Sequence, residues 1–342
     1  MSFLQSFEET CNWHSLRIII KDQTDVYLML VVSFLGLKGS GRTTFLALLY
    51  DSIIRNVNKS TEGARSQSRV YIEPYYQKIL GELRNSLLMG EWPSNSNKED
   101  RSEFIIRLGK EGGILRSREI IDIRFIDFHN SPFRDTSKEA ISLSLRDDII
   151  DAMDLTNAWV LFLDIGQIRI NKGTGEIKAR DSYDKAMAGL VSSFLIQFDG
   201  LGPTSLTKNP HFFLICSKFD YFVNKLQREA GLPSKPPKPK GSGRSSNINE
   251  SNGQRKEYVR RLLFKYYPAT SKAFFSNAAF THESKIDIPA FFSGIRTVRN
   301  QQGERIPAID DVNSPSRLKD KPNEMIAFME YLTSNIEWSR TP

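Results

Sequence analysis

The sequence predicts an α/β fold: a mostly parallel mixed sheet with helices on both faces. Three observations predict it. First, the apolar runs Val26 to Leu35, Ala158 to Ile165 and Phe212 to Cys216 do not alternate with polar residues, so they read as strands covered on both faces. Second, segments with apolar residues at helical spacing separate these runs, and strands alternating with helices give a mostly parallel sheet. Third, the runs Glu103 to Leu108 and Glu119 to Phe128 flank Lys110-Glu111-Gly112-Gly113, a hairpin signal that makes the sheet mixed.

Residues 1–25 form an N-terminal extension without a firm reading, though His14 to Lys21 could serve as an edge strand. Val26 to Leu35 ends in a glycine cluster. Arg42 to Val57 then reads as a helix, with Phe45, Leu46, Leu48, Leu49, Ile53 and Ile54 near one side. Asn58 to Ser68 is polar. Val70 to Met89 reads as a second helix, stopped by Gly90-Glu91-Trp92-Pro93. Ile121, Ile123 and Phe125 alternate with polar residues, as in a strand. Asp181 to Phe198 and Tyr258 to Tyr267 fit helices. Residues 231–253 are rich in Pro, Lys, Ser, Gly and Asn and read as a flexible insertion. Ala290 to Ser293 and Phe274 to Phe280 compete for the last strand. Asn323 to Ile336 forms an amphipathic helix, with Pro322 just before its start.

Composition is that of an ordinary globular chain, 39% apolar and 25% charged over 342 residues. The net charge of +7 lies partly in Lys235 to Lys256. That balance permits contact with an anionic membrane surface, but nucleic acid is not an expected partner. The longest apolar run, Val26 to Leu37, is about 12 residues and too short for a transmembrane segment. Cys11 and Cys216 make no disulfide framework, and the N-terminus does not read as a signal peptide, so a cytoplasmic location is expected.

The chemistry concentrates in Gly36-Leu37-Lys38-Gly39-Ser40-Gly41-Arg42-Thr43, placed between a strand and a helix. Glycines let successive amides turn inward, and the helix start adds unpaired amides and a positive dipole end, so the loop suits phosphate. Thr43 would put its hydroxyl on Mg²⁺, with Thr44 beside it. The lysine of the phosphate-loop pattern is Arg42 here, a bulkier fork in place of a point charge. Lys38 could supply part of the missing charge. A glycine-rich turn without a ligand has the same local signature.

Two further matches follow in order. Asp127 ends the strand Ile121 to Phe128, where a carboxylate can hold Mg²⁺ through water; a turn aspartate looks alike. Ser217-Lys218-Phe219-Asp220 leaves the strand Phe212 to Cys216. Asp220 could accept two hydrogen bonds from guanine, and the stem of Lys218 could cover the base.

Together these residues resemble the Ras-like branch of the P-loop GTPases, across roughly 26–338. The chain is similar to divergent, prokaryotic-type GTPase-like domains, with arginine at the phosphate-loop lysine. The resemblance implies GTP or GDP with Mg²⁺, a GTPase-like domain over 26–338, and an effector or regulatory protein that reads the nucleotide state. It also implies a base-loop role for Ser293. The family's D-x-x-G reads Asp127-Phe128-His129-Asn130, so Asn130 would offer its amide to the γ-phosphate. Ser131 follows, where many members carry a water-positioning glutamine. His129 is a candidate to orient water, and a solvated loop histidine is the plainer account. Thr61, Ser94, Ser96 and Ser102 stay open as the first-switch ligand. Asp164 reads as a turn or cap residue, although such a position can lie near nucleotide, and Trp92-Pro93 reads as structural. The implied function is a slow or partner-dependent guanine-nucleotide switch. A pseudo-GTPase scaffold without turnover and an ATP-using P-loop enzyme are the alternatives.

Overall fold

A computed structural model describes residues 19–21, 25–60, 68–93, 101–111, 118–129, 131–133, 145–171, 173–200, 211–219, 232, 248–276, 289–295, 297–308 and 322–335. In chain order the first half contains β1 (Ile19–Lys21), β2 (Asp25–Gly36), α1 (Arg42–Ser60), β3 (Ser68–Ile72), α2 (Pro74–Leu88), β4 (Arg101–Glu111), β5 (Arg118–Phe128) and α3 (Asp147–Met153). The second half contains β6 (Ala158–Asp164), β7 (Ile168–Ile170), β8 (Ile177–Ala179), α4 (Asp181–Gly200), β9 (His211–Ser217), α5 (Ile248–Tyr266), α6 (Pro268–Ser276), β10 (Ala290–Phe292), β11 (Thr297–Arg299), β12 (Arg305–Pro307) and α7 (Pro322–Asn335).

The main sheet runs β10-β9-β6-β2-β5-β4-β3. β10, β9, β6, β2 and β5 are mutually parallel, and β4 and β3 add an antiparallel flank. β1 pairs antiparallel with the start of β2. Because β5 holds the other edge of those residues, β1 shares an edge of β2 with β6. The fold is therefore α/β with a mixed, mostly parallel sheet and helices on both faces.

Period-two geometry explains the two layers. On β6, Ala158, Val160 and Phe162 enter one core, while Trp159, Leu161 and Leu163 enter the other, and all are buried. The first core receives α1, α2 and α7 through Phe45, Leu48, Leu83, Leu87, Phe328 and Leu332. Phe45 meets Phe34, Phe162 and Phe328 edge-on at 5.7, 5.3 and 5.4 Å. The second core receives α3 to α6, with Trp159 4.9 Å from Phe194. Paired polar groups tie strands together beneath the site. Ser33 and Thr156 share a buried 2.7 Å hydrogen bond, and Val31 N donates to Asn157 Oδ1 at 2.8 Å. Arg255 and Glu324 form a buried pair joining α5 to α7, and the guanidinium also donates to the Ala290 carbonyl of β10.

Several expectations need correction. The helix expected over 70–89 is β3 followed by α2. Pro74 lacks the amide that a continuous helix needs and favours the first helical turn, while Val70 and Ile72 favour the extended chain beside β4. Phe274 lies in α6, and β10 takes the sheet position for which 274–280 competed. The end of the flexible insertion expected over 231–253 is helical, since α5 begins at Ile248; residues 231 and 233–247 lie outside the described residues. Of the edge strand expected over 14–21, only β1 is described, and it sits beside β2. α3 and the hairpins β7–β8 and β11–β12 were not expected. Trp92 does act structurally: its Nε1 donates to the Arg305 carbonyl at 2.7 Å. Among the described residues no helix is long and apolar enough to cross a membrane.

Candidate functional site

The parallel strands end along one edge of the sheet. From β2 the chain goes first to β5 on one side and later to β6 on the other, so the turn after β2 lies where the strand order reverses. Crevices of α/β sheets open at such points. The turn is Leu37 to Gly41. Ser40 N donates to Leu37 O at 3.1 Å, and Gly39 and Gly41 hold φ of 76° and 88°, a region costly for other residues. Gly36 is required for another reason: a Cβ there would lie 2.7 Å from Ser40 Oγ and 3.0 Å from Phe162 Cβ. The first helical bond of α1 runs from Phe45 N to Gly41 O. The amides of Arg42, Thr43 and Thr44 precede that ladder, at the positive end of the helix dipole. Lys38 and Gly39 are exposed at the rim, and Thr43 and Thr44 are half-buried in the first turn.

Arg42 turns inward. Its Nη1 donates to Gly36 O at 2.8 Å, and its Nε lies 3.2 Å from Asp127 Oδ1, where β5 ends. Both side chains are almost fully buried. Burial pushes the Asp127 carboxyl above the usual carboxylate range, and Arg42 and then His129 pull it back. Burial presses the Arg42 guanidinium down, Asp127 opposes that push, and Arg146 adds to it. A guanidinium keeps its proton in proteins, so Asp127 faces a permanent cation.

The carboxylate expected to hold Mg²⁺ already faces a cation of the chain itself. An ion at the Asp127 carboxylate would share it with a buried like charge, since Arg42 Nε already stands 3.2 Å from Oδ1. Among the described residues, no cluster of three His, Cys, Asp or Glu side chains could hold a metal ion. The cation that Asp127 faces here is Arg42.

His129 is buried, not solvated. Its Nε2 shares a 2.6 Å hydrogen bond with Ser102 Oγ of β4, and its Nδ1 lies 3.6 Å from Asp127 Oδ2. Ser131 Oγ accepts from Phe133 N at 3.3 Å, within its own turn. Arg146 Nη1 donates to the His129 carbonyl at 2.7 Å and anchors this loop from the start of α3.

The end of β9 is stapled to the glycine loop. Ser217 Oγ lies 2.5 Å from Ser40 O and 3.2 Å from Leu163 O. Lys218, at φ 52°, donates from Nζ to Gly39 O at 2.7 Å and to Asp164 Oδ2 at 2.8 Å. Ser293, after β10, joins the same corner: its amide donates to Cys216 O, and its carbonyl accepts from Phe219 N, each at 3.0 Å. Asn130 and Asp220 lie outside the described residues, as do Thr61, Ser94 and Ser96.

Thus the structure gathers Gly36, Lys38, Gly39, Ser40, Gly41, Arg42, Thr43, Thr44, Asp127, His129, Ser217, Lys218 and Ser293 at one end of the sheet. Sequence reasoning missed Arg146 and understated Asp164. That buried carboxylate does cap a turn, accepting from Gly166 N at 2.9 Å, and it also takes Lys218. Its signal was the position itself, a strand-end aspartate with a glycine two residues on. Beneath it, the Tyr267 hydroxyl donates to Asp164 O at 2.9 Å.

No family model matches this chain, and no curated protein matches it. Among solved structures it is similar to the Saccharomyces cerevisiae Ski7 GTPase-like domain, which was crystallised with GTP bound. Identity is 18%, and the match covers 60% of this chain and 38% of that one, at a TM-score of 0.25. A likeness of that size says nothing about individual residues of the site.

Proposed function

We propose that the protein binds guanine nucleotide on Gly36 to Thr44, with little or no turnover of its own, and that a regulatory or effector protein reads the bound state. One observation carries this reading. Residues more than 170 positions apart, Ser40 and Gly39 on the loop and Ser217 and Lys218 after β9, are joined by direct hydrogen bonds. A phosphate-binding turn and a base-reading turn need this adjacency, because one nucleotide must span both. Asp220, two residues beyond Lys218, would read the guanine edge, and Ser293 would support that loop from β10.

Slow turnover follows from the residues near the γ-phosphate position. His129 presents its ring nitrogens to Ser102 and Asp127, and Ser131 Oγ caps its own turn. Both side chains are engaged within the protein, which supports slow turnover. A cytoplasmic setting fits a buried reduced thiol at Cys216.

The test is to release the nucleotide from the purified full chain by heat and separate it by chromatography. GTP or GDP is expected. An adenine nucleotide, or an empty protein whose melting temperature ignores added GTP, would reject the reading.

A second reading has its own support. The Arg42–Asp127 pair neutralises the strand-end carboxylate from within the chain, as a nucleotide-free scaffold would require. The empty-protein outcome of the same experiment would select it.

A further inference from the structure

We propose that Arg42 is the built-in counter-ion of this site, so that the chain takes a nucleoside triphosphate without a divalent cation. This rests on the guanine-nucleotide reading above. Three features of the arrangement support it. The guanidinium stands on the carboxylate that a metal would need, with Nε 3.2 Å from Asp127 Oδ1. It is fixed there by the loop itself, through Nη1 and the Gly36 carbonyl at 2.8 Å. Among the described residues its Nη2 has no partner, which leaves that NH₂ group for a phosphate oxygen.

The chemistry is consistent. A divalent ion at such a site neutralises phosphate charge and is held by the strand-end carboxylate. Here the guanidinium takes the ion's place on the carboxylate and leaves Nη2 to donate to a phosphate oxygen, while exposed Lys38 on the rim brings a further positive charge to the phosphates. Lysine at the same position has a single ammonium. It cannot reach Gly36 O, Asp127 and a phosphate oxygen from three separate nitrogens, as the guanidinium can. The substitution that departs from the phosphate-loop pattern and the buried ion pair are therefore one adaptation.

The test measures binding of a fluorescent GTP analogue to the full chain, in excess Mg²⁺ and in excess EDTA. Wild-type affinity is expected to differ by less than about three-fold between the two buffers. In Arg42→Lys, which frees Asp127 for a metal, EDTA is expected to weaken binding by about ten-fold or more. A wild-type protein that loses about ten-fold or more in EDTA overturns the inference while leaving the nucleotide reading intact. Binding in neither buffer overturns the nucleotide reading and this inference with it. The wild-type comparison decides the matter even if the variant fails to fold.

Discussion

Replacing Arg42 by methionine removes the cation and keeps much of the side-chain volume, which isolates the charge. Asp127 is 1% exposed, so Arg42→Met leaves a carboxylate buried with its main partner gone. Removing one member of a buried pair costs about 3–5 kcal/mol, and the Gly36 carbonyl also loses a donor, worth about 1 kcal/mol. Part of that cost depends on pH. Burial already raises the folded-state pKa of Asp127 while Arg42 opposes it, so loss of Arg42 raises it further. A carboxyl whose folded pKa exceeds its unfolded value is penalised as pH rises through the window between the two, and the penalty disappears as the group takes up its proton. The slope cannot exceed about 1.36 kcal/mol per pH unit for one proton. Between about pH 7.5 and 5 the variant should therefore regain part of its deficit relative to wild type. Urea unfolding of both proteins at the two pH values measures this. The double variant Arg42→Met/Asp127→Leu should recover most of the loss at neutral pH, because replacing a whole buried pair by apolar groups is often neutral. A deficit that is the same at both pH values, or a double variant as unstable as the single, would refute the ion pair.

Other substitutions test the scaffold around the loop. Gly41→Ala forces a Cβ onto a residue at φ 88° and should cost about 1–2 kcal/mol in urea unfolding. The same variant should weaken GTP binding, because the amides after it change direction. Ser217→Ala removes a donor to the buried Ser40 carbonyl, and a loss of about 1–3 kcal/mol in thermal or urea unfolding is expected. Glu324→Ala strands a guanidinium that is 3% exposed and should cost about 3–5 kcal/mol, whereas Glu257→Ala, whose partners Arg260 and Arg261 are exposed, should shift urea unfolding by well under 1 kcal/mol.

The layer architecture was legible because β2, β6 and β9 are covered on both faces and so have continuous apolar sequences. α1 and α7 were legible from the spacing of Phe45, Leu48 and Leu49 and of Met325, Phe328 and Leu332. The glycine loop was legible from its glycines and its place between a strand and a helix. What failed to show did so for physical reasons. Val70 to Met89 carries apolar residues at helical spacing over most of its length, and only Pro74 and the short Val70-Tyr71-Ile72 run mark the strand that pairs with β4. The hairpins β7–β8 and β11–β12 are three residues per strand, too short to carry a period. The Lys218–Asp164 and Arg42–Asp127 pairs join residues remote in sequence, and no local pattern encodes which side chain a buried carboxylate will face. Arg42 was visible as a departure, and its inward turn toward β5 was not.

The most direct measurement is the binding of GTP, ATP and xanthosine triphosphate to the wild-type protein and to Asp220→Asn, by calorimetric titration. The account predicts that wild type prefers GTP by about ten-fold or more, and that Asp220→Asn shifts the preference to xanthosine triphosphate. Equal binding of all three, preference for ATP, or GTP binding untouched by Asp220→Asn would contradict it.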